Sequence, residues 1–334
     1  MNSDPCTEDR LAIVCPLCSC NSSQLLFRAR SWESFAQDQV YEIRQCHKCH
    51  IAFTSPIVSF ESLKLFYSQG LYGNKSNRFH ILIEIAQQIF QWSRLRKITR
   101  VRQRGKLLDI GCGKGRFLAY AALHGWDVYG TEPSENSRRI ACSTLKGRIV
   151  GNLKELPMEK FDVITLWHVL EHVSTPVEML RQLHPYLKPG GVLCVAVPNL
   201  ASWQARLGKS RWCHLDVPRH VFHYTPETLQ YVLDLSGYTI LHIDHFSIEF
   251  NPIGVLQTML NSLGAEPGLI YALVKRNISW GIAKNKLRFL YSAIVAIVGI
   301  PFLILPALLF AYIESLFSKG GTILVYATPI ELGQ

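Results

Sequence analysis

The chain is short of acid. Asp and Glu number 25 against 35 Lys and Arg, a formal net charge of +10. A surface of that sign favours an anionic partner: nucleic acid, an acidic lipid surface or an anionic substrate. Charge of either sign is sparse at 18% of residues, and apolar residues make up 48%. That balance excludes a disordered or fibrous chain and supplies a large core. No apolar run of signal-peptide length stands near Asp4, Glu8 and Asp9, so export is not expected and a cytoplasmic setting is. Internal repeats and low-complexity tracts are absent as well.

What is present falls into four zones. Residues 1–60 are cysteine-rich and short-stranded. Residues 61–104 read as a helical linker or lid whose end is basic, with Arg94, Arg96, Lys97, Arg100, Arg102 and Arg104. Residues 105–249 alternate short apolar runs with helical patterns, the signature of a parallel α/β sheet. Residues 250–318 are an apolar insertion, and a last β-like run within 319–330, Thr322 to Ala327, follows it.

Cys15-Pro-Leu-Cys18 and Cys46-His-Lys-Cys49 are two CxxC knuckles with 27 residues between them. Each knuckle aims two thiolates at one point, and four thiolates close a tetrahedral structural Zn²⁺ site with no open position. The intervening Val40-Tyr-Glu-Ile43 has β character, as a zinc ribbon requires. Cys20, His47 and His50 are alternative ligands, and a redox CxxC is the competing chemistry.

Gly105-Lys-Leu-Leu-Asp-Ile-Gly-Cys-Gly-Lys-Gly-Arg-Phe-Leu118 reads as strand, glycine loop and helix. Gly111, Gly113 and Gly115 allow a turn and a close backbone approach that side chains would block. A second strand ends near Thr131, and Glu132 stands at its carboxyl end, where a carboxylate accepts both hydroxyls of a ribose. Asp109 precedes the loop. A pyrophosphate would be repelled there and a cationic group welcomed. The spacing is GxGxG, not the GxGxxG of dinucleotide folds.

The run at 107–115, Glu132, Phe161-Asp-Val-Ile-Thr-Leu-Trp-His-Val-Leu-Glu-His172 and Leu187-Lys-Pro-Gly-Gly-Val192 together resemble the class I S-adenosylmethionine (SAM)-dependent methyltransferases. Within them the chain is similar to the branch that includes ubiquinone-biosynthesis O-methyltransferases. The resemblance covers about residues 105–245 and implies a Rossmann-like sheet of seven strands, with the zinc ribbon ahead of it and the apolar insertion before the last strand. It implies SAM as cofactor. Asp109, Gly111, Gly113 and Gly115 would face its methionine part, Glu132 its ribose, Asn152 its adenine, and Trp167 the cofactor site.

Methyl transfer to a hydroxyl needs a proton removed, which suits histidine near neutral pH. His168 and His172 follow a buried strand at its carboxyl end, where open α/β sheets place their sites. His220 lies in a second cluster, Trp212 to Tyr224, similar to the Pro-Arg-His loop of the same branch. Each has a structural alternative. His172 fits a helix cap or a partner for Glu171, and the 212–224 loop fits a staple between Asp216 and Arg219.

From Phe289 to Ile313 the chain has 25 residues without charge, and Lys275, Arg276, Lys284, Lys286 and Arg288 precede them. About 20 apolar residues suffice to span a bilayer. The run is too short to cross twice, and Thr322 to Ala327 is needed in the cytoplasmic sheet. Pro301 and Pro306 interrupt it. The expectation is two short helices lying in one leaflet at the inner membrane face. A helical subdomain over the acceptor site is the alternative. The acceptor is then expected to be a small molecule, a glycan or a lipid-linked compound. Nucleic acid is not expected, because the strand-four motif lacks the Asn/Asp-Pro-Pro-aromatic pattern of base methylation and the apolar run has no use on RNA.

Overall fold

The computed structural model describes residues 13–31, 39–58, 80–145, 147–266, 268–270 and 286–330. Lys275, Arg276 and Lys284 lie outside the described residues, as do most of the stretch before residue 80 and the last four residues.

A small antiparallel sheet opens the chain: β1 (Ser23–Arg30), β2 (Val40–Cys46) and β3 (Ala52–Ser55). Helix α1 (His80–Thr99) follows. The main domain then runs β4 (Lys106–Ile110), α2 (Arg116–Leu123), β5 (Asp127–Thr131), α3 (Glu135–Leu145), β6 (Ile149–Val150), β7 (Phe161–Trp167), α4 (Pro176–Leu183) and β8 (Leu187–Pro198). After it come α5 (Trp203–Gly208), β9 (Phe222–His223), α6 (Pro226–Leu235) and β10 (Tyr238–Asp244). Among the described residues, the insertion carries helices α7 (Asn251–Ser262) and α8 (Lys286–Leu316), and β11 (Thr322–Pro329) ends the described chain.

Seven strands build the main sheet in the order β10-β11-β8-β7-β4-β5-β6. Its central pairs are parallel, and β11 runs antiparallel to both β8 and β10. The expected seven-stranded Rossmann-like sheet is thus present, with the strand after the insertion slotted between its neighbours.

Side chains alternate across this sheet with the strand period of two. On β4, Leu108 and Ile110 enter one core with Ile164, Leu166 and Val195, while Leu107 joins Ile98, Phe117 and Val163 on the opposite face. Asp109 shares the face of Leu107 and so points toward α1 and α2. Truncating a fully buried leucine here, such as Leu108→Ala, would cost about 2–5 kcal/mol. The carboxyl edge is sharpened by caps: Thr225 and Thr228 form a reciprocal capping box that starts α6 as the sequence Thr225-Pro226-Glu227 implies.

The insertion departs from expectation. Residues 286–316 form one continuous helix of 31 residues through both Pro301 and Pro306, in place of two short ones. Each proline removes a single i→i−4 bond, and the remaining bonds of an otherwise uninterrupted helical run carry the helix past it. It packs antiparallel on α7: the Asn251 amide donates to Ser315 Oγ at 3.1 Å, and Leu260 lies against Gly299. Small residues line this contact, with Ala296, Ala307 and Ala311 buried. Elsewhere the helix is bare, Ile297, Phe302 and Leu305 each being more than 70% exposed. Among the described residues it is the one helix long and apolar enough to cross a membrane.

Candidate active site at the carboxyl edge of the sheet

The glycine loop leaves β4 with Gly111 at φ 67° and Gly113 at φ 58°. A Cβ on Gly111 would stand 2.8 Å from a Val169 methyl, so the loop is pressed against the turn after β7. A Cβ on Gly113 would meet nothing within 4 Å, which leaves its backbone open to a ligand. Gly115 caps α2 in the left-handed region.

Two buried acids flank this loop. Glu132 accepts the Gly113 amide at 2.8 Å on Oε2 and the Ser134 amide at 2.7 Å on Oε1. Burial nevertheless raises its pKa. Asp109 is 3% exposed and accepts the Thr165 hydroxyl at 2.7 Å. Burial pushes its pKa up to about 7, against the opposing pull of Thr165 and the Arg94 charge. Asn152 stands at the end of β6, where its Oδ1 accepts the Lys154 amide and caps the turn Leu153–Glu155.

The second half of the site is built on β7. Trp167 is its last residue, and His168 turns the chain at φ 55°, a left-handed conformation rare for a side-chain-bearing residue. Its amide donates to Ala196 O at 2.9 Å, which holds the turn. His168 Nδ1 lies 3.2 Å from Glu171 Oε1, and its ring packs 3.8 Å from that of Phe250. Burial, then the Arg94 charge, brings the His168 pKa down to about 3, and burial raises Glu171 to about 7.

A cavity opens beside this pair, lined by Phe90, Arg94, Trp167, His168, Phe250 and Thr322 among others. Trp167 Nε1, His168 Nε2 and Thr322 Oγ1 are buried there with no partner among the described residues. These are buried polar atoms that a bound molecule would satisfy.

His172 and His220 do not line this cavity. His172 Nδ1 donates to Arg219 O at 3.0 Å, and His220 Nδ1 donates to His214 O at 3.0 Å. His220 Nε2 stands 3.9 Å from Glu171 Oε1, and one nitrogen from each histidine with a Glu171 oxygen falls within 4.8 Å. This cluster can share a proton or hold a cation behind the His168–Glu171 pair. The Asp216–Arg219 staple is present too, at 2.6 and 2.9 Å.

A methyltransferase-domain family profile matches residues 76–243, half of the chain. The chain belongs to the class I SAM-dependent methyltransferases. It is 30% identical over 181 residues to the ubiquinone biosynthesis O-methyltransferase of Rhizobium johnstonii, a match covering 48% of this chain and 70% of the relative. The like-named protein of Rhizobium etli is 31% identical over 44% of this chain and 64% of its own length. Among solved structures, a SAM-dependent methyltransferase from Archaeoglobus fulgidus aligns with TM-score 0.44 and 17% identity, over 80% of this chain and 99% of that one. Magnesium protoporphyrin IX methyltransferase from Synechocystis PCC 6803, solved with bound SAH, aligns at 0.43 and 19%, over 57% and 94%.

The residues of this methyltransferase fit SAM. The buried Asp109 carboxyl, with the Thr165 hydroxyl as its hydrogen-bond donor, suits a cationic ligand. The open Gly113 backbone gives access, and the Glu132 oxygens, each with one backbone donor, keep lone pairs for ribose hydroxyls. Sequence reading missed Arg94, which was visible only as part of a basic helix end. It lies 5.1 Å over the Trp167 ring and pairs with Glu249 at 2.7 Å. Phe250 and Thr322 were missed as well, since each reaches the cavity from an element remote in sequence.

Far from this cavity, the methyltransferase gathers Cys15, Cys18, Cys46 and Cys49, one sulfur from each within 4.8 Å of the others. The Cys15–Cys49 and Cys18–Cys46 sulfurs are 3.7 and 3.5 Å apart. Tetrahedral Zn–S bonds of about 2.3 Å require sulfurs about 3.8 Å apart. Ser19 and His50 adopt left-handed φ of 56° and 58° to close the two knuckles. Cys20 turns away to Ser22 O, so the four-cysteine set is the one brought together.

Proposed function

We propose that this methyltransferase methylates a hydroxyl of a small or lipid-linked acceptor at the cytoplasmic face of a membrane, with a structural Zn²⁺ in its cysteine cluster. The observation that carries the reading is the His168–Glu171 pair beside a cavity walled by Trp167, Phe250 and Arg94. The relatives named as ubiquinone biosynthesis O-methyltransferases support O-methylation.

SAM, when bound, supplies a methyl on a sulfonium with a good leaving group. Asp109, Gly111, Gly113 and Glu132 hold it, and Trp167 walls it from the acceptor cavity. Little is left for the protein beyond alignment and proton removal. His168 alone is a weak base, with its pKa near 3. It is instead a relay: the acceptor hydroxyl gives its proton to Nε2 as Nδ1–H passes to Glu171 Oε1. The proton then rests on a carboxyl whose pKa of about 7 matches neutral operation. Arg94 and Glu249 close the cavity from α1 and the loop before α7.

The membrane reading rests on α8. Its apolar surface is exposed along its length, and the five basic residues before the uncharged run suit anionic headgroups. Incubating the protein with methyl-labelled SAM and a membrane extract, and identifying the labelled product, tests the proposal. An ether-linked methyl on an apolar compound is expected. Label confined to RNA or protein would overturn it.

A further inference from the structure

The cysteine cluster and the histidine loop are far apart in sequence, yet one short strand joins them. Cys49 is followed five residues later by Thr54, at the buried end of β3. The outer edge of β3 pairs with β9, Ala52 opposite His223 and Phe53 opposite Phe222. The cysteine sheet therefore continues into the Trp212–Tyr224 loop. Thr54 fixes that junction three ways. Its amide donates to Val221 O at 2.9 Å. Its hydroxyl donates to His220 O at 2.6 Å and lies 3.0 Å from His223 Nε2.

A hydroxyl has one hydrogen to give. Spent on the His220 carbonyl, it leaves only lone pairs for His223, which must donate from Nε2. Thr54 thus fixes both the path of the His220 backbone and the tautomer of His223. The loop returns the constraint to the site, since the Val221 amide donates to Glu171 O at 2.8 Å. The metal end is equally rigid: the Cys46 amide donates to Ile51 O at 3.0 Å, and Ile51 and Phe53 share one core with Phe222 and the cysteines.

We infer that Thr54 is a positioning residue for the loop that carries His220, and that metal held by the four cysteines acts on the active site through it. The inference rests on the active-site reading above. A free-standing zinc ribbon would serve as a staple for its own small sheet. Here the ribbon's edge strand supplies hydrogen bonds that the catalytic domain lacks without it.

The test uses the full chain with ¹⁵N-labelled histidine. In zinc-loaded wild type, His223 should show the Nε2–H tautomer. Thr54→Val keeps the shape and loses the hydroxyl, so His223 should leave that tautomer and amides 220–223 should exchange at least tenfold faster. The amides of β4 should be unchanged. Thr54→Ser should restore both signals. Stripping zinc with a chelator should move His220 and His223 in the same direction as Thr54→Val. Identical His223 spectra in wild type and Thr54→Val would overturn the positioning role. Zinc removal without any change at these two histidines would overturn the coupling. SAM titrations on the same samples separate the two readings: a wild type that binds no SAM defeats the proposed function and leaves the histidine spectra standing.

Discussion

His168 and Glu171 are three residues apart and meet at 3.2 Å only because His168 takes a left-handed turn at φ 55°. Strain of this kind costs about 1–3 kcal/mol and persists where the surroundings impose it. It aims one ring nitrogen at the carboxylate and leaves the other in the cavity. With Glu171 as the final proton acceptor, methyl transfer should rise with pH through about 7, as its carboxyl ionises. Glu171→Gln should lower turnover on the order of 10²-fold and flatten that profile, while SAM affinity holds. A pH–rate series on both proteins checks this. An unchanged slope in the variant would remove Glu171 from the relay.

Asp109 offers a second titration. Burial holds its pKa at about 7, so near neutrality the carboxyl is partly protonated. A cation bound beside it favours the charged form. SAM binding at pH 7 should therefore release about half a proton. Calorimetry in two buffers of different ionisation heat measures that release. Asp109→Asn should abolish it and weaken binding about tenfold, ~1.4 kcal/mol.

Much of this half of the site was legible in the chain. A buried strand, three glycines and an acid at the next strand end are local signals, and each was found where its spacing put it. Arg94 was not legible. Its partner Glu249 lies 155 residues away, and no periodicity on α1 marks Arg94 out from Arg96 and Lys97. Thr54 is a similar case: an unremarkable strand residue acquires its role from a loop 166 residues later. The prolines of α8 act in the opposite direction: each is a local breaker, but the length of helix on either side carries the run through both.

Asp109, Glu171 and Glu314 share one consequence. Burial raises each to about 7 in the folded chain, above the ordinary carboxyl range. The folded state then binds more protons than the unfolded state between those values. The stability this confers is complete below about pH 4 and is lost as pH rises through about 7. Without SAM, the thermal midpoint should fall between pH 5 and pH 8, in steps reported by scanning fluorimetry. Saturating SAM should lessen the fall by favouring the ionised Asp109. Glu314→Gln should make the slope shallower. A midpoint that climbs over this range would show that these three carboxyls are solvated.

Glu314 also bears on the proposed membrane contact of the apolar helix. Its Oε1 accepts the Gln204 side-chain amide at 2.5 Å and the Gly321 amide at 3.1 Å, and its Oε2 accepts the Gln204 backbone amide at 3.2 Å. The next residue, Ser315, is bonded to Asn251, where α7 begins. The insertion therefore leaves and re-enters the catalytic domain at one place, and β11 continues from there into the sheet between β10 and β8. A helix crossing the bilayer would strand its far end, whereas a helix lying in one leaflet keeps both anchors. The protein should sediment with vesicles containing anionic lipid, and a tag after Gln334 should stay on the same side as the cysteine sheet. Ile297→Glu with Leu305→Glu, both on the exposed stripe, should release it from vesicles without changing SAM affinity. Neutralising Lys286 and Arg288 should weaken binding by about 1 kcal/mol per charge. A tag protected inside sealed vesicles would mean a true span. It would require β11 to leave the sheet and the Glu314 bonds to break.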